Sequence, residues 1–90
     1  MYSMKELLPL GSVVRLKGAT RRIMIVGRLQ NLKNQSELYD YAAVLYPEGL
    51  IDSEHFYVFN QEDIDCLFFI GLQDVEEFNY RFELEKHMPS

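Results

Sequence analysis

Residues 12–29 read SVVRLKGATRRIMIVGRL, and the fold is decided there. In Ser12–Lys17 the side chains alternate, with Val14 and Leu16 on one face and Val13, Arg15 and Lys17 on the other. That two-residue period is the mark of a half-buried strand. Gly18, Ala19 and Thr20 supply a tight turn. The next segment, Arg22–Leu29, has Ile23 and Ile25 on one face and Met24 and Val26 on the other, as a central buried strand does. Gly27 interrupts it as a bulge or bend of a strongly curved sheet.

Working outward, Asn31–Leu38 is polar and aperiodic and reads as the most mobile loop. A third strand over Tyr39–Tyr46 alternates Tyr41, Ala43 and Leu45 against Asp40, Ala42 and Val44, and ends in the turn Tyr46-Pro47-Glu48-Gly49. A short aromatic strand, His55–Phe59, follows the link Leu50–Glu54. Asn60–Asp63 then makes a turn, and Ile64–Ile70 a fifth strand closed by Gly71. Beyond it the period changes. Asp74 is placed to cap a helix, with Glu77 at the capping-box position, and Val75, Phe78 and Phe82 form an apolar stripe. Tyr80 and Leu84 lie off that stripe, available to a partner or to the edge of the barrel. The expected fold is mainly β (α+β): a small five-stranded antiparallel SH3-like or OB-like barrel over about 11–71 with a C-terminal helix over 74–88. Residues 1–90 form one domain.

Six Phe, six Tyr and an apolar share of 48% suit a small packed core. The single cysteine, Cys66, can form no internal disulfide, which favours a reducing, cytoplasmic setting. Met1–Leu10 contains Lys5, Glu6 and Pro9 and lacks the apolar run of a signal peptide. Cys66–Leu72 is too short to insert in a membrane. The net charge of −5 is unevenly spread: residues 1–35 hold seven Lys/Arg and one acid, residues 36–90 two Lys/Arg and thirteen acids. The halves attract one another in the folded state, or the basic one is offered to an acidic partner.

The residues give no sign of an active centre. His55 and His87 are far apart, and no metal-ligand spacing occurs, so neither metal nor cofactor is expected. Cys66 on an apolar strand reads as an inert packing residue. The acids Glu62, Asp63 and Asp65 fall in a turn, where capping accounts for them better than catalysis. The glycines form no phosphate-binding fingerprint. Arg15, Lys17, Arg21, Arg22 and Arg28 cluster on the first hairpin and, with exposed tyrosines, would suit single-stranded nucleic acid. The acidic second half disfavours that partner.

Three blocks in order carry a family resemblance. They are LLPLGSVVRLK over Leu7–Lys17 with Met24–Arg28, Tyr39–Tyr41 through Tyr46-Pro47-Glu48-Gly49, and FNQEDI over Phe59–Ile64. Together they resemble the small Gram-positive family of domain of unknown function number four-one-seven-six, over residues 7–72. The resemblance implies a setting near type VII secretion genes and LXG toxins, and therefore a non-catalytic accessory, chaperone or targeting role. The implied partner is an LXG-type toxin or its small helical companion. Arg15, Lys17, Arg22, Arg28, Tyr46, Tyr80 and Leu84 are the candidate partner-binding residues. A small-barrel nucleic-acid-binding protein is the alternative.

Overall fold

In the first hairpin, β1 (Val13–Leu16) pairs antiparallel with β2 (Arg22–Asn31), Val14 opposite Ile23. Val14, Ile23 and Ile25 are buried together, as the alternation requires. The computed structural model describes residues 6–31 and 36–87; residues 32–35 of the expected loop and residue 88 of the expected helix lie outside them. The remaining elements are β3 (Leu38–Leu45), β4 (Tyr57–Phe59), a 3₁₀ turn (Gln61–Asp63), β5 (Ile64–Phe69) and α1 (Val75–Glu85). They build one antiparallel sheet in the order β4-β3-β2-β1-β5, with the helix after it. This is a mainly β, small-barrel-like fold. Among the described residues no ladder joins β4 to β5, so hydrogen bonds do not close the barrel expected from the sequence.

The inner face holds Leu7, Val14, Ile23, Ile25, Tyr41, Ala43 and Phe59, with Leu84 of α1 packed against them. Each fully buried aliphatic side chain contributes about 1.5–3 kcal/mol. The bulge expected at Gly27 is present: Ile25 faces Ala43, but Gly27 faces Ala42. One extra residue reverses the alternation of a strand. Ile23 and Ile25 point inward, and after the bulge Arg28, opposite Tyr41, does so too.

Three expectations are corrected. The stripe Val75, Phe78 and Phe82 does not face the sheet; these residues are 73%, 51% and 62% exposed. The helix docks instead through Glu77, Arg81 and Leu84, because a buried Arg28 demands a carboxylate. β5 is an edge strand with Leu67, Phe68 and Phe69 all exposed, and Cys66 on it is only half-buried. On the second face of β2, Met24 is half-buried between the buried Val13 and Val44 while Val26 is exposed, so that face is only partly covered.

The segment before β1 is fixed by Ser12, whose buried hydroxyl donates to the Pro9 carbonyl at 2.8 Å and accepts from the Gly71 N–H at 3.1 Å. A Cβ at Gly71 would sit 2.0 Å from the Leu10 carbonyl oxygen, so only glycine fits this crossing.

Candidate functional site

The seven candidate residues separate into two groups. Arg28, Tyr80 and Leu84 meet where α1 docks. Arg28 has a side chain only 2% exposed, and its guanidinium grips Glu77 in a forked pair at 2.5 and 2.8 Å. It also donates to the Leu8 carbonyl, and it lies 5.6 Å from the Tyr80 ring centre. Arg81 joins from the next helical turn, 3.1 Å from Glu77. Burial alone pushes the Glu77 carboxyl up, but the hydrogen bonds and charges of Arg28 and Arg81 outweigh it and hold the group below its ordinary range. Asp74 caps the helix by accepting the Glu77 N–H at 2.9 Å. The Glu77 side chain turns away to the arginines instead of completing the box. This group joins helix to sheet.

Arg15, Arg22 and Tyr46 gather on the opposite face of the sheet, where side chains alternate away from the core. With Phe68 they form an arginine–aromatic ladder. The Phe68 ring lies 5.7 Å from the Arg15 guanidinium and 5.4 Å from that of Arg22, and Arg22 lies 5.3 Å from the Tyr46 ring. Each such contact contributes about 0.5–1 kcal/mol at an exposed site. Beside the ladder is a cleft of about 410 Å³ bounded by Gly11, Val13, Met24 and Phe69 with Arg22, Tyr46 and Phe68. Lys17 continues β1 and is exposed; its N–H bonds the Asp63 carbonyl.

The ladder's charges are not equivalent. Arg15 meets Asp65 at 3.0 Å and Arg21 meets Glu48 at 2.6 Å, while Arg28 and Arg81 share Glu77. The Arg21 hydrogen bonds hold the Glu48 carboxyl below its ordinary range. Arg22 alone of the five arginines meets no carboxylate among the described residues. A guanidinium fixed between two rings and lacking an anion is arranged to receive a carboxylate beside an apolar surface.

That surface is continuous in sequence. From residue 67 to residue 82 every large apolar side chain is exposed, Leu72 and Val75 at 75% and 73%. The exposure of Phe68, Phe69 and the α1 stripe was not legible in the sequence, because their patterns equally describe a buried strand and a core-facing helix. A second cleft, of about 370 Å³, lies by the β1–β2 turn between Leu16, Ala19, Leu45 and Tyr57.

Of the turn acids, Asp63 accepts the Asn60 N–H at 2.9 Å and Asp65 pairs with Arg15. Among the described residues no three His, Cys, Asp or Glu side chains converge in a way that could hold a metal ion. No helix there is long and apolar enough to cross a membrane.

A family model described as "Domain of unknown function (DUF4176)" matches residues 7–80, from the segment before β1 into α1. No curated protein and no solved structure matches the chain.

Proposed function

The chain belongs to the DUF4176 family, and on that premise we propose that it is a non-catalytic protein-interaction module that works in the cytoplasm. The observation that carries this reading is the ladder: Arg22, held between Tyr46 and Phe68 with no carboxylate partner among the described residues, beside an open apolar cleft. Aromatic and arginine side chains are the types enriched at the energetic centres of protein interfaces. An exposed apolar band of this length is a hallmark of a surface awaiting a partner. The partner proposed is an LXG-type toxin of type VII secretion, or its small helical companion, for which this protein acts as accessory, chaperone or targeting factor. Co-purification of the tagged chain with the products of adjacent genes tests this. Binding that Arg22→Glu abolishes supports it, and no capture of any neighbour refutes it.

The same ladder supports a second reading, since alternating arginine and aromatic groups on a small barrel also suit stacked bases. An oligonucleotide affinity falling steeply with salt would favour nucleic acid over protein.

A further inference from the structure

Two surfaces lack a partner among the described residues, and they are complementary. One is the outer cleft, where the Arg22 cation is stacked between rings and meets no carboxylate among the described residues. The other is the outward face of α1, where Val75, Phe78 and Phe82 are exposed. On that helix Glu77 is taken by Arg28 and Arg81, and Glu83 by Lys86 at 3.3 Å, whereas the exposed Glu76 meets no cation among the described residues. Among the described residues the chain thus presents an arginine without a carboxylate in an aromatic cleft and a glutamate without a cation on an aromatic helix.

They cannot satisfy each other within one molecule. The Glu77–Arg28 fork and Leu84 hold α1 against the inner face of the sheet, with its apolar stripe turned away. We propose that a second copy of this chain supplies the match, its α1 lying in the cleft with Val75 and Phe82 against the Phe68 and Tyr46 rings and Glu76 at Arg22. Applied reciprocally about a two-fold axis, the exchange gives two equivalent helix-in-cleft contacts and closes the assembly as a dimer. Charge complementarity selects this occupant: the cleft offers a cation and the helix an anion, each beside apolar side chains. The inference shares its cleft with the interaction reading above but needs no foreign partner.

Sedimentation velocity on the full chain, from about 1 to 200 μM, tests it, since association follows mass action. The mass rises from one chain to two with concentration. Arg22→Glu and Glu76→Arg each weaken the dimer by about tenfold or more, as expected for a close interfacial charge pair. Both positions are exposed, and circular dichroism confirms that the variants fold. Mixing the two variants restores the dimer: at one contact the two substituted side chains meet with their charges exchanged, and at the other the native pair re-forms. A monomer at every concentration overturns the proposal, as does a dimer indifferent to both substitutions or a mixture that fails to associate. Capture of a neighbouring gene product by a strictly monomeric chain would refute self-association alone, and dimerisation without such capture the foreign-partner reading alone.

Discussion

Replacing Glu77 by alanine removes the carboxylate that forks onto a guanidinium whose side chain is 2% exposed. The Leu8 carbonyl at 3.3 Å and the Tyr80 ring remain, and neither neutralises the charge. Breaking a buried ion pair from one side costs about 3–5 kcal/mol. Glu77 itself is 11% exposed, so water can enter the vacated space, and we place the loss near the lower bound, about 3 kcal/mol. For a domain of this size that lowers the Tm by roughly 12–24 °C. Arg28→Met is milder, about 1–2 kcal/mol, because Glu77 keeps Arg81 at 3.1 Å. The double variant Arg28→Met with Glu77→Leu replaces the pair by apolar groups and returns to within about 1 kcal/mol of the parent. Urea unfolding, followed by circular dichroism, gives all three values. A Glu77→Ala loss below about 1 kcal/mol, or a larger loss for Arg28→Met, refutes the idea that this pair fastens helix to sheet.

Other outcomes follow from the same geometry. The Glu77 carboxyl sits below its ordinary 4.5 in the folded state, so its contribution is present above pH 4.5 and disappears as pH falls through the folded value. Acid unfolding of Arg28→Met should therefore be shallower than that of the parent. Burial pushes the Tyr41 phenol up to about 12; the unfolded chain ionises first, so stability declines between its ordinary value of 10 and 12. An alkaline melting series on Tyr41→Phe should lack that decline. The same variant leaves the Leu8 N–H and the Gln61 side-chain oxygen without their partner, lowering stability at neutral pH by about 1–3 kcal/mol. Gly71→Ala drives a methyl group into the Leu10 carbonyl and should give little folded protein on expression, whereas Gly18→Ala, with open space around it, should cost about 1 kcal/mol by thermal melting.

Elements were more legible in the sequence than their neighbours. Alternation located Val14, Ile23 and Ile25, Gly27 announced its bulge, and Asp74 marked the start of α1, because each of these is set within a few residues. The consequence of the bulge is also local, yet easily passed over: one inserted residue turns Arg28 from a surface charge into a buried one. That reversal then decides which face of α1 docks, against the apolar periodicity of Val75, Phe78 and Phe82. The Ile64–Ile70 run reads as buried because both its faces are apolar, and only the strand order shows it to be an edge. Of the candidate site, Arg15, Arg22 and Tyr46 could be named from sequence. Phe68, which bridges the two arginines, could not, since it lies far along the chain from both and arrives through β1–β5 pairing. Ser12 escaped notice for a similar reason, its partner Gly71 being distant along the chain.

Whether the outer-face ladder is a protein-docking surface is measured most directly by titration calorimetry, with a purified adjacent-gene product against the parent, Arg22→Glu and Phe68→Ser. Saturable binding by the parent that weakens by about tenfold or more in both variants, each with an unchanged fold, is the predicted result. Equal affinity across all three proteins would contradict it.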